Sequence, residues 1–202
     1  MLAEKEGTGP VYVRVLARLA AALRDQPERG PREALSWEAV ALARRLNDPS
    51  TLAYTLADRG AALYGPDNPA ERLAIAEELR AVARAAQDKE LELRGDDDRA
   101  MVLLETGRIA EYREAIGALQ RLAAEMRAPW AQGLAAARQV NLALLERRFA
   151  DAEALVKSRL QAGISAEPWD GVVVSWVQLS TLRSEDGRLA EMEPGCANWR
   201  RN

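Results

Sequence analysis

Four side chains able to donate or accept hydrogen bonds recur at one spacing along this chain: Asp58, Asp98, Arg138 and Gln178 stand 40 residues apart. Arg59, Arg99 and Gln139 sit beside them, and Asn141 follows Arg138 by three residues, which on a helix is the same face. Carboxylate, guanidinium and amide groups repeated along one surface can hydrogen-bond a peptide or a small ligand. These eight residues are therefore the candidate groove-binding residues. The competing reading of the column is a solvent-facing row, or a ladder of bonds between successive repeats.

Reactive chemistry has less to work with. The sequence contains no histidine, which removes imidazole bases, imidazole-based triads and nearly all zinc sites. The single cysteine, Cys196, excludes an internal disulfide, fits a reducing compartment and has no partner base beside it. Asp96-Asp97-Asp98 is the best candidate for a metal site. Consecutive helical residues point about 100° apart, however, so three carboxylates converge on one ion only if the helix unwinds. The run also lacks the glycine and distant glutamate of a calcium loop, so a solvated, locally strained face is expected there. Gly7-Thr8-Gly9 lacks the lysine of a phosphate-binding loop. Glu77, Glu78, Glu111 and Glu114 are expected in surface ion pairs with neighbouring arginines. Trp37, Trp130, Trp169 and Trp176 are expected in core or helix-junction packing rather than in a ligand cage. No catalytic residue, metal or cofactor is expected.

The elements that must carry the polar column are helices. Of the 202 residues 48% are hydrophobic but only 5% aromatic, and Ala, Leu, Arg and Glu dominate. These side chains lose little freedom on a helix. β-Branched residues cluster only at Val172-Val173-Val174, so a sheet is not expected. Lys plus Arg number 28 against 31 Asp plus Glu, a net charge of −3 without a clustered basic surface, which argues against direct nucleic-acid binding. No apolar stretch approaches the roughly 20 residues needed to span a bilayer, and the polar N-terminus lacks the centre of a signal peptide. A cytoplasmic protein is the simplest expectation.

A repeat orders those helices. Gly107-Arg108-Ile109-Ala110-Glu111-Tyr112, Arg147-Arg148-Phe149-Ala150-Asp151-Ala152 and Gly187-Arg188-Leu189-Ala190-Glu191-Met192 share one pattern, and successive copies start 40 residues apart. Asp67-Asn68-Pro69-Ala70-Glu71-Arg72 keeps its Ala-Glu, and near Gly30-Pro31-Arg32-Glu33 the match persists downstream. Columns Leu35, Ile75, Ala115, Leu155 and Leu42, Val82, Leu122, Ala162 are apolar; Ala43, Ala83, Ala123, Gly163 is small throughout and marks where two helices come closest.

Apolar residues at three- and four-residue steps predict first helices over Val11–Arg24, Pro49–Tyr64, Lys89–Glu105, Pro129–Glu146 and Trp169–Glu185. Second helices are predicted over Pro31–Leu46, Pro69–Ala86, Ile109–Met126, Phe149–Gln161 and from Leu189 onward. Turn signals at Gln26-Pro27, Asn47-Asp48-Pro49, Gly65-Pro66-Asp67, Thr106-Gly107, Ala128-Pro129, Gly163 and Asp186-Gly187 separate them. Connections this short force antiparallel neighbours. One helix pair cannot bury its own apolar stripe, so pairs must stack. The expected organisation is a flexible leader over residues 1–9, one repeat domain over 10–193 and an irregular tail over 194–202. Glu193-Pro194-Gly195 interrupts the fifth second helix, which suggests either a fragment of a longer array or an end that caps differently.

The stretch Asn141-Leu142-Ala143-Leu144-Leu145-Glu146-Arg147-Arg148-Phe149-Ala150-Asp151-Ala152-Glu153 resembles the helix–turn–helix junction of tetratricopeptide repeats (TPRs). There an aromatic opens the second helix and an alanine follows three residues later; Tyr112 and Met192 replace that alanine in two other copies. The 40-residue period also exceeds the usual length of about 34, so the chain is TPR-like rather than strictly TPR. Ala41-Leu42-Ala43-Arg44-Arg45-Leu46-Asn47-Asp48-Pro49, Tyr64-Gly65-Pro66-Asp67 and the 144–153 stretch are similar to the helical-repeat arm of large bacterial signalling ATPases, including LuxR-type (MalT-like) transcriptional regulators.

That resemblance implies an all-α, right-handed α-α superhelix of about five antiparallel helix pairs. It also implies a non-catalytic arm that contacts a protein or peptide partner or senses a small-molecule inducer, with ATP and DNA binding on other domains. The sequence shows no P-loop and no DNA-reading helix–turn–helix beyond ordinary hairpins. The leading expectation is thus an interaction or sensing module of a bacterial signalling or transcriptional regulator; the alternative is a free-standing TPR-like scaffold. The uncapped last repeat is also a surface through which two copies could form a homodimer.

Overall fold

Helix ends are written into the chain by caps. The computed structural model describes residues 9–163 and 169–192. Within them lie nine α-helices: α1 (Pro10–Ala22), α2 (Arg29–Leu46), α3 (Pro49–Ala62), α4 (Pro69–Ala85), α5 (Lys89–Glu105), α6 (Ile109–Met126), α7 (Pro129–Leu145), α8 (Phe149–Gly163) and α9 (Trp169–Glu185). Proline occupies the first turn of α1, α3, α4 and α7, where no backbone donor is missed. Asp48 and Asp88 cap α3 and α5 by accepting from Ser50 N–H (3.1 Å) and Leu91 N–H (3.0 Å).

The opposite ends close through left-handed residues. Asn47, Gln87 and Arg127 follow α2, α4 and α6 with φ of 52°, 57° and 54°; Gly107, Arg147 and Gly187 follow α5, α7 and α9 with φ of 71°, 57° and 70°. After α4, for example, Asp88 N–H donates to Ala83 O (2.9 Å) and Gln87 N–H to Arg84 O (3.1 Å), so two orphan carbonyls are satisfied.

The protein is all-α, with helix pairs packed consecutively and no strand among the described residues. It divides into two compact units, Met1–Leu119 and Gln120–Asn202, with the division inside α6. In the first unit α1 touches α2 and α3, α3 touches α2, α4 and α5, and α4 touches α5. Successive first helices thus meet directly, while α2 and α4 are bridged by a long side-chain pair, Arg44 Nη2 to Glu78 Oε1 and Oε2 at 2.9 Å. The core between α2, α3 and α4 gathers Val40, Ala53, Leu56, Leu63, Ile75, Leu79 and Ala83. In the second unit α7, α8 and α9 pack mutually around Val140, Ala143, Ala152, Val156 and Leu182. The small column is buried at Ala43, Ala83 and Ala123.

Three expectations are corrected. The Asp96-Asp97-Asp98 run lies in an unbroken α5, and Asp96 and Asp97 are buried rather than solvated, because Arg80 of α4 ion-pairs Asp96. The fifth second helix is, in its described part, a single 3-10 turn over Leu189–Met192. Trp37, Trp130 and Trp176 are partly exposed, which overturns the core half of their expectation and leaves helix-junction packing, as where Trp37 of α2 lies over Arg59 of α3. Residues 1–8, the tail over 194–202 with Cys196, and the Trp169 side chain lie outside the described residues.

The α4–α5 crossing depends on Gly95. A Cβ there would stand 2.6 Å from Arg80 Cγ, 3.0 Å from Arg80 N and 3.1 Å from Ala76 O. At Gly30, in α2, it would meet nothing within 4 Å. Gly95→Ala is therefore expected to destabilise by about 1–3 kcal/mol through overpacking against backbone. Gly30→Ala should instead stabilise by about 0.5 kcal/mol through a less disordered unfolded chain. Urea denaturation of both variants checks the opposite signs.

Candidate binding face

First helices lie side by side in the first unit, so their facing side chains form a continuous polar seam. From α1, Arg14 donates to Thr51 Oγ1 (3.2 Å) and Ser50 Oγ (3.0 Å) of α3. Arg18 donates to Tyr54 Oη through Nε (3.1 Å) and Nη2 (2.8 Å). Both guanidinium carbons also lie near the Tyr54 ring, 5.4 and 5.3 Å from its centroid. Arg18 Nε reaches Asp58 Oδ2 at 3.3 Å, and on α5 Arg94 pairs with Asp98 at 3.1 Å. Burial raises the Asp58 carboxyl above its ordinary range, opposed by the positive charges of Arg18 and Arg94. The seam's arginines are partly open to solvent: the Arg18 and Arg94 side chains are 62% and 47% exposed.

The sequence-derived candidates divide by burial. Asp58 is buried in this seam, while Asp98 stays half-buried beside Arg94. Arg59 is only 1% exposed. It donates from Nη1 to Ser36 Oγ of α2 (2.8 Å), pairs with Glu71 of α4, and lies 3.8 Å above the Trp37 ring. Arg59 therefore ties three helices together and is out of a ligand's reach; exposed Trp37 covers it. Arg99 is half-buried, its Nε 3.6 Å from Glu77.

In the second unit, buried Gln178 of α9 donates to Ala137 O (2.7 Å) and Asn141 Oδ1 (2.6 Å) of α7, and accepts from Arg159 Nη1 of α8 (3.1 Å). The structure thus brings Gln178 and Asn141 together, with Arg138 and Gln139 half-buried on the same helix as Asn141. Asp58 and Gln178, from one sequence column, both bond the preceding first helix, so at these two positions the column acts as a ladder between repeats.

Sequence reasoning followed a second column at Tyr112, Ala152 and Met192 but passed over its first two members, Arg32 and Arg72. Arg32, Arg72, Tyr112, Ala152 and Met192 step by 40 and all are buried. Arg32 donates to Ala62 O (3.0 Å) and Gln26 O (2.8 Å), and Arg72 grips Glu105 through two bonds of 2.6 and 3.2 Å. Each guanidinium sits at the C-terminal end of the next first helix, where positive charge is favoured. The 40-residue spacing was the available signal. Glu77, Glu78 and Glu111 do pair with arginines, namely Arg99, Arg44 and Arg108.

At the end of the second unit, Glu153 accepts from Arg183 (2.7 Å) and pairs with Lys157 (2.8 Å), which lowers its carboxyl to about 2. Among the described residues no acidic, His or Cys side chains cluster as metal ligands, and no helix is long and apolar enough to cross a membrane. No family model and no curated protein matches the chain.

Two outcomes follow from this geometry. Arg59→Ala, which leaves buried Ser36 unsatisfied and part-exposed Glu71 unpaired, should cost about 1–3 kcal/mol. Arg99→Ala, with its longer and wetter pair, should cost under about 1 kcal/mol; chemical denaturation reads the difference. For Glu153 the folded value lies below the ordinary 4.5, so its contribution is complete above that pH and fades as pH falls toward 2. The gap in denaturation midpoint between wild type and Glu153→Gln should therefore be constant above pH 4.5 and close on acidification toward 2.

Proposed function

We propose that this chain is a non-catalytic binding module, a TPR-like helical repeat that engages a peptide or protein partner, or a small-molecule inducer, within a bacterial cytoplasmic signalling or transcriptional regulator. The observation that carries this reading is the first-helix seam. It presents Arg18, Arg94 and Tyr54 outward from three adjacent helices while its carboxylates are drawn inward or already paired. Repeated helices that hold charged side chains at fixed intervals suit an extended ligand better than a reaction, which needs converging groups. The outward charge is positive, so the fitting ligand offers acceptors: carboxylates or backbone carbonyls of a peptide.

Fluorescence anisotropy with two panels of labelled decapeptides, one acidic and one basic, tests this. Acidic peptides should bind in a salt-sensitive manner, and the Arg18→Ala/Arg94→Ala double variant, measured at a temperature where circular dichroism shows it folded, should lose at least about tenfold in affinity, near 1.4 kcal/mol. Equal binding of both panels, or full affinity in the double variant, would overturn it.

A further inference from the structure

The open side of α1 repeats a surface whose central position is buried on every later first helix. Val11, Val15 and Leu19 lie four residues apart on one face of α1 and are 77%, 62% and 48% exposed. Forty residues on, the same positions of α3 are Thr51, Thr55 and Arg59, all buried. Two neighbours cover them. Arg14 of α1 bonds Thr51 (3.2 Å), and Ser36 of α2 accepts from Arg59 (2.8 Å). A further step reaches Leu91, Gly95 and Arg99 of α5, where the Gly95 backbone lies against Ala76 and Arg80 of α4. Ala135 of α7 and Ser175 of α9, the later equivalents of Val15, are buried as well. Within the units, α3, α5 and α9 each receive the helix pair before them. Among the described residues the face of α1 is open, and there it is apolar.

We infer that the Val11–Val15–Leu19 face of α1 is a docking surface for one further α-helical hairpin, stacked in the same register as α1 and α2 stack on α3. Its second helix lies across Val15, which matches in shape the buried Thr55 at the same position of α3. A second copy of the chain is the poorer occupant. Two 13-residue helices set face to face bring two bulky rows together. They also bury well below the roughly 1,000 Å² that a stable complex needs. An in-register hairpin touches α1 with both of its helices, as α1 and α2 both touch α3.

A tandem duplication of residues 9–48, inserted directly before Gly9 of the full chain, supplies such a hairpin with the 40-residue register kept. Both the parent and the duplicated chain carry Cys196→Ser and Leu19→Cys in the original α1, and labelling with a water-soluble maleimide reads the face. The thiol should react at an exposed rate in the parent and more than about tenfold slower in the duplicated protein. Adding Val15→Glu should restore fast labelling there while leaving the parent's Tm unchanged. Equal labelling in parent and duplicated protein overturns the inference, as does a duplicated protein whose helical circular dichroism gains nothing. Protection of the parent's thiol that grows with protein concentration would assign the face to a second copy, and overturns it too.

Discussion

How closely one helix can approach the next sets the terms for everything else in this protein. The first helix α3 packs against its own second helix, against the pair before it and against α5 after it. Such a helix has little face left for bulky side chains. Small residues answer the demand, Ala43, Ala83 and Ala123 on second helices and Gly95, Ala135 and Ser175 on first helices. Interiors packed to crystal density leave no room for a methyl group that is not accounted for, which is why α5 carries a glycine at its crossing with α4.

Close approach also decides the fate of polar groups. A guanidinium or carboxylate on a first helix is surrounded on most sides, so it stays charged only with partners nearby. Arg59 finds Ser36, Glu71 and the Trp37 ring; Asp96 finds Arg80; Gln178 finds a backbone carbonyl, an amide and Arg159. These bonds fix the register between helices, because each buried polar group has a partner at one place only. Burial takes them out of ligand binding. The groups left for a partner are the arginines whose side chains remain partly exposed along the seam, Arg18 and Arg94.

Second helices meet a different constraint. α2 and α4 stand apart at the backbone, so the pairs Arg44–Glu78 and Arg29–Asp67 bridge them where small residues would leave a gap. Between neighbouring elements, Arg72 reaches Glu105 of α5. Long charged side chains thus span the gap between the second helices.

What the sequence determined alone is what periodicity can encode. The 40-residue step, the apolar spacing and the proline and aspartate caps located α5, α6 and α9 residue for residue, and the other α-helices to within two residues at each end. Those signals are local, as are the turns at Gly107 and Gly187. Tertiary structure decided what depends on neighbours distant in sequence. Gln87, Arg127 and Arg147 adopt left-handed φ without being glycine, because the repeat requires a turn there whatever residue occupies it. The Asp96-Asp97 pair reads as solvated by residue type and is buried because α4 brings Arg80 to it. Arg59 and Arg18 are the same side chain to a sequence reader; one lies under Trp37 and the other in water. Residue spacing fixes the face on which a side chain stands. Only the packed neighbour determines whether that face meets solvent.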